Sequence, residues 1–215
     1  MGPPTLLVGL GGGSCSGKTT LAELTGNRLL PTPAAVIAAD RYYRPLDHLP
    51  REERHRENFD SPEMLDRELL KSHLLRLKAG EPVDIPVYDF RLHTRSEETE
   101  PLDPPPVILV EGIFLLADPE LRGLLDLAIY VETGEEERLA RRIRRDREER
   151  GRDEKEVRRR YFSQVLPAHR ELSGPARLGA DLVVSGEVNP EESAQILAGR
   201  IGGMLSRRRN KKGPG

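Results

Sequence analysis

Residues 12–19 read Gly-Gly-Ser-Cys-Ser-Gly-Lys-Thr, a glycine-rich run closed by Gly17, Lys18 and Thr19. Before it, residues 5–10 (TLLVGL) read as a short buried strand; after it, residues 20–30 (TLAELTGNRLL) carry apolar side chains at helical spacing. Strand, glycine loop and helix in that order leave few folds open. Glycines let successive backbone N–H groups curl around an anion, and the following helix adds the positive end of its dipole. In the pattern G-x-x-x-x-G-K-[ST] the lysine reaches the β- and γ-phosphates of a nucleotide, and the hydroxyl residue faces Mg²⁺. Gly12, Gly13, Ser14, Cys15, Ser16, Gly17, Lys18, Thr19 and Thr20 are therefore candidate nucleotide-binding residues.

The rest of the chain alternates. Residues 34–39, 107–110, 127–131 and 181–184 predict strands. Helices are expected over 61–79, 135–150, 153–172 and 191–206, the first with Ser61 as N-cap, Pro62 in its first turn and Gly80 at its stop. Residues 83–95 are rich in β-formers but contain Pro86, which suits an edge hairpin; residues 101–106 read as a stiff connector. The alternation predicts an α/β architecture, a P-loop NTPase fold with a mostly parallel sheet and helices on both faces. One domain is expected over 1–206, with a β-hairpin insertion over about 82–106 and an arginine-rich helical lid over about 134–160. Residues 207–215 read as a basic, disordered tail.

Composition narrows the function classes. The chain has 215 residues, enough for one such domain. A formal net charge of −2 argues against a nucleic-acid binder, and the basic stretch 207–212 lacks aromatic residues and reads as a solvated end. Cys15 is the only cysteine, so no internal disulfide forms, as suits a reducing compartment. The first residues lack the basic and apolar regions of a signal peptide, and no run approaches the ~20 apolar residues of a membrane span. A cytoplasmic location, with neither membrane nor nucleic acid as partner, is the expectation.

Parallel sheets bind ligands beyond the carboxyl ends of their strands. Asp40 follows one predicted strand and Glu111 another, so both should meet the glycine loop in one crevice. Asp40 suits a general base, a group that orients a hydroxyl, or a metal contact through water, against the plainer reading of a turn or N-cap. Glu111 suits a Mg²⁺ site, against a solvent-facing strand end. The helix from Glu135 is too charged for a core helix. It is either a solvated helix held by pairs such as Glu137–Arg141 and Asp146–Arg150, or a lid whose arginines cover a triphosphate. Aromatic residues make up only 4% of the chain, yet Tyr88 and Phe90 stand close together with His93 nearby. They form either a base-stacking face or a packed hairpin.

Taken together, GGSCSGKTT (12–20), DRYYR (40–44), NFDSP (58–62), PVYDFRLHTR (86–95), VEGI (110–113) and RRIRRDREERGR (141–152) resemble the uridine kinase (uridine-cytidine kinase) family of P-loop nucleoside kinases. The likeness runs from about residue 5 to 187. It implies transfer of the γ-phosphate of ATP or GTP to the 5′-hydroxyl of uridine and cytidine, with Mg²⁺, in a homo-oligomer, a tetramer. By that resemblance Asp40 and Lys18 are catalytic. Arg145 and Arg150 join the loop around ATP. Tyr43, Asp60, Tyr88, Phe90, His93, Arg142 and Arg152 join Asp40 around the nucleoside, and Thr19, Asp40 and Glu111 surround the metal. A neutral His93 donates to O4 of uracil or, as the other tautomer, accepts from N4 of cytosine.

The chain departs from the family pattern at Ser61, where histidine is usual, at Cys15, and at Arg160, where a glutamine that contacts nucleoside is usual. Arg160 takes that nucleoside position here, and its charge keeps open a phosphorylated acceptor such as ribulose 5-phosphate. A non-catalytic nucleotide-binding regulator is the remaining alternative; it has no need of Asp40 and Glu111.

Overall fold

A computed structural model of the chain describes residues 5–210. Its main sheet has five parallel strands in the order β2-β5-β1-β6-β7. These are β1 (Leu6–Gly11), β2 (Ala34–Ala38), β5 (Val107–Glu111), β6 (Leu127–Glu132) and β7 (Leu182–Ser185). β1 lies at the centre, with Val8 in register with Leu109 on one side and Leu127 on the other. Buried on both faces, β1, β5 and β6 read as continuous apolar runs.

The two faces carry two cores. Leu6, Val8 and Leu10 pack with α1 (Lys18–Arg28) and α8 (Pro190–Asn210). Leu7 points the other way, into a core shared with α3 (Arg67–Ala79) and α4 (Pro119–Leu124). The short α2 (Arg51–Arg54) lies in the connection that follows β2. α5 (Glu135–Glu148) is followed by α6 (Glu154–Arg160), which continues through a π-type turn at Tyr161–Val165, α7 (Leu166–Ala168) and a second π-type turn at His169–Ser173.

Several elements differ from expectation. The helix expected from Ser61 is broken: Pro62–Met64 make a single 3₁₀ turn, Leu65 is extended and pairs with Tyr43, and α3 starts at Arg67. Asp66, not Ser61, caps α3, its carboxylate accepting from the Leu69 N–H at 3.3 Å. The hairpin lies within the 82–106 expected for it, but its strands run past 95, with β3 (Val83–Asp89) paired antiparallel to β4 (Thr94–Leu102) in a separate two-stranded sheet. Pro101 and Leu102 therefore belong to a strand and not to a connector. α4 was not expected, although Asp118 followed by Pro119 is an N-cap signal, and the Asp118 carboxylate accepts from Glu120 and Leu121. Residues 207–210 extend α8 where a disordered tail was expected; residues 211–215 lie outside the described residues. Among the described residues no helix is long and apolar enough to cross a membrane.

Candidate active site

The crevice forms where β1, β2 and β5 end. Gly17 takes φ 98°, a left-handed conformation that glycine adopts without strain, and so turns the loop into α1. Cys15 takes φ 61° in the same loop. Lys18 is buried, and its Nζ donates to the Gly13 carbonyl at 3.0 Å. Thr19 Oγ1 donates to Glu111 Oε1 at 2.9 Å. The turn carrying Asp40 comes so close to the end of β5 that a Cβ at Gly112 would lie 2.7 Å from the Ala39 Cβ. That closeness sets Asp40 beside Glu111.

Two cavities open from this point. The larger, about 710 Å³, is lined by Ser14, Cys15 and Gly17 to Leu21, by Asp40 and Glu111, and by Arg141, Arg144 and Arg145 of α5. The smaller, about 50 Å³, is lined by Tyr43, Phe59, Asp60, Phe90, His93, Arg142, Arg150, Arg152, Arg160 and Gln164. Ser14, Asp40, Ile113 and Arg145 line both, so Asp40 stands at the junction. The smaller cavity is well under the ~300 Å³ at the low end for ligand pockets.

Burial pushes both the Asp40 and Glu111 carboxyls above the ordinary range, and Lys18 acts against it on both. The Tyr43 hydroxyl also bonds Asp40 and favours its carboxylate. Among the described residues no three His, Cys, Asp or Glu side chains cluster to cage a metal. A hydroxyl and one or two carboxylates facing an open channel fit Mg²⁺, which is commonly held by few protein oxygens together with phosphates and water.

α5 inverts the usual amphipathic pattern. Its buried residues are Arg138, Arg142 and Asp146, a charged stripe at i, i+4 and i+8, whereas Leu139 is only partly buried, packing toward Tyr161, Val165 and Leu166. Of the two readings, solvated helix or lid, the buried stripe counts against the first, because it faces the glycine loop and the smaller cavity. Arg142 donates to Ser14 Oγ at 3.0 Å and forks onto Asp60 at 3.2 and 3.0 Å. The surface pair Glu137–Arg141, at 2.7 Å, is present as expected.

The hairpin is fastened to the body by Arg41, whose Nε donates to the Pro86 carbonyl at 2.8 Å, and by Arg95, which donates to the Tyr42 carbonyl at 2.9 Å. Asp89 accepts from the Arg91 and Leu92 N–H groups at 2.7 and 3.0 Å, which shapes the turn that ends at His93, φ 52°. His93 stacks on Phe59 with centroids 4.8 Å apart. Burial, and then Arg152 and Arg150, push its imidazole down to about 4, so it is neutral near pH 7.

Most residues named from the sequence converge here, with some differences in place. Gly12, Gly13 and Ser16 lie buried under the loop and line neither cavity. Thr20 lines the larger cavity. Arg150, expected at the ATP phosphates, lines the smaller cavity only. Tyr88, expected around the base, is 6% exposed and lies behind Tyr43, edge-on at 5.7 Å, outside both cavities. Arg160 lines the acceptor cavity, but its guanidinium is held by Glu156 at 3.0 Å and the His55 carbonyl at 2.6 Å. Phe59, Ile113 and Gln164 were missed; Gln164 had a signal, since it stands one helical turn after Arg160.

A profile of the Phosphoribulokinase / Uridine kinase family matches residues 7–191. A protein named uridine kinase from Chloroflexus aurantiacus is 40% identical over 200 residues, covering 93% of this chain and 96% of that one. Another of that name from Staphylococcus epidermidis is 38% identical over 204 residues, covering 95% and 99%. A solved structure provisionally named a fructose transport system kinase, from Silicibacter sp. TM1040, superposes with a TM-score of 0.71 at 26% identity, over 85% of this chain and 91% of that one.

Proposed function

The chain belongs to the phosphoribulokinase/uridine kinase family, and from that premise we propose that it is a uridine kinase. It transfers the γ-phosphoryl of ATP or GTP to the 5′-hydroxyl of uridine and cytidine, giving UMP and CMP for pyrimidine salvage in the cytoplasm, as a homotetramer. The observation that carries this reading is the meeting, at Asp40, of a channel lined by the glycine loop and a smaller cavity lined by Tyr43, Phe59, Phe90 and His93.

The nucleotide phosphates lie along residues 14–20, where Lys18 exchanges the Gly13 carbonyl for phosphate oxygen. Thr19 and Glu111, with Asp40 beside them, would hold Mg²⁺, which when bound would supply neutralisation of charge on the phosphate oxygens. The pyrimidine rests among Phe59, Phe90 and His93, and the ribose meets Asp60, which Arg142 orients. Asp40 accepts the 5′-hydroxyl proton as the phosphoryl leaves, and its raised proton affinity suits a base working near neutral pH. Closure of the α5–α6 segment as a lid excludes water that would otherwise hydrolyse ATP. Arg160, already engaged by Glu156 and His55, gives no support to a phosphorylated acceptor.

The test is an acceptor panel with Mg²⁺-ATP: uridine, cytidine, 2′-deoxyuridine, adenosine and ribulose 5-phosphate, with product identification. UMP and CMP as the main products are expected. Turnover confined to ribulose 5-phosphate, or none with any acceptor, refutes the reading.

A further inference from the structure

Asp146 is 1% exposed and lines neither cavity, yet four arginines converge on it. Arg145 donates through Nε and Nη2 to Oδ1 at 3.0 and 2.8 Å. Arg152 Nη1 donates to Oδ2 at 3.2 Å, and Arg142 and Arg150 each stand 3.7 Å from a carboxylate oxygen. The Arg152 N–H also donates to the Asp146 carbonyl at 3.0 Å, which folds the segment after α5 back on itself. All four arginines line the acceptor cavity, and Arg145 lines the phosphate channel too.

Four guanidinium groups around one small cavity repel each other, and long side chains lose entropy when held. One buried carboxylate gathers them. Burial pushes its carboxyl up, but Arg145, Arg142 and Arg150 together hold it below the ordinary value, so it stays charged. A phosphoryl group reaching the junction must share Arg145 with Asp146. The shared contact has two consequences. The arginines are arranged before charge develops in transfer, which is the arrangement that lowers a barrier. They also grip the product phosphate less tightly than unpaired arginines do.

We propose that Asp146 is a positioning residue for phosphoryl transfer: it sets the four arginines in place and competes with phosphate for them, so that the product leaves. This rests on the kinase reading above. The experiment compares D146N with the full-length wild-type protein in three measurements: turnover on uridine, inhibition by UMP, and calorimetric binding of inorganic tripolyphosphate.

The proposal expects turnover to fall about tenfold or more, while UMP and tripolyphosphate each bind about fivefold tighter. A merely structural role weakens turnover and anion binding together. Anion binding that is unchanged or weaker in D146N overturns the proposal, as does wild-type turnover. Should D146N not fold, D146E carries the test: tripolyphosphate affinity stays within about twofold because the charge is kept, and turnover still falls. Wild-type turnover in D146E, or failure of both variants to fold, also overturns it. If the wild type does not phosphorylate uridine, the nucleoside reading has failed, and the tripolyphosphate measurement still judges Asp146.

Discussion

The floor of the phosphate channel comes from one stretch of chain, Ser14 to Leu21, while the acceptor cavity draws single side chains from segments spread over residues 14 to 164. The channel works through the glycine loop and the start of α1, so its chemistry depends on backbone curvature more than on side-chain choice. The acceptor cavity works through side chains held by other side chains: Arg142 forks onto Asp60, His93 stacks on Phe59, and Arg160 is tied to Glu156 and His55. A backbone site tolerates little change and recognises a group common to every nucleotide. A side-chain site can be re-specified one residue at a time, and Arg160, a departure from the family pattern, lines it; Cys15, another, lies in the glycine loop. Asp40 lines both, so the proposed transfer falls between them.

Substitutions at the junction, in the channel and in the cavity should therefore separate. Asp40→Asn sits where the two meet and should lower kcat by ~10²–10⁴ with ATP affinity little changed; steady-state kinetics with uridine measures this, and turnover near wild type removes Asp40 from its role. Glu111→Gln acts on the channel alone. It should raise the Mg²⁺ concentration needed for half-maximal rate by about tenfold and leave the uridine KM unmoved. A Mg²⁺ titration at saturating uridine measures this, and a changed uridine KM would show that the two cavities are not separable.

His93→Asn acts on the cavity alone and gives the smallest change, a rise in the nucleoside KM of about fivefold with the ATP KM constant. It carries a pH signature as well. The folded imidazole titrates at about 4 and the unfolded one near its ordinary value, so between them the unfolded chain binds more protons. The neutral imidazole's contribution to stability is complete above the unfolded value and is lost as pH falls toward 4. His169, also pushed down to about 4 by burial and then by Arg138 and Lys18, adds a slope of the same sign. Denaturant unfolding between pH 4.5 and 7 should show a slope reduced by about one proton in the His93 variant; an unchanged slope contradicts the burial of that ring.

What the sequence disclosed follows the same division. The glycine loop, Asp40 and Glu111 were readable because a contiguous motif and strand ends place them without knowledge of tertiary packing. Phe59 and Ile113 enter the site only through the way segments cross; Gln164 carried no signal beyond its helical spacing from Arg160, and Asp146, read only as the partner of Arg150, also meets Arg142, Arg145 and Arg152 in the fold. α5 misled the periodic reading because its inward stripe is Arg138, Arg142 and Asp146: facing a phosphate loop and a ligand cavity, charge goes inward where a core would call for leucine. The start of α3 was misplaced because Ser61-Pro62 and Asp66 both offer caps, and only the pairing of Leu65 with Tyr43 decides between them. Arg150 and Tyr88 were assigned by resemblance to groups that the packing sets elsewhere.

The most direct test of the account is a single-turnover experiment with γ-labelled ATP, Mg²⁺ and saturating uridine. Label appearing in UMP as fast as it leaves ATP, with hydrolysis to free phosphate slow when uridine is omitted, is the predicted result. Loss of label to free phosphate at the same rate with and without uridine would contradict an acceptor cavity that meets the phosphate channel at Asp40.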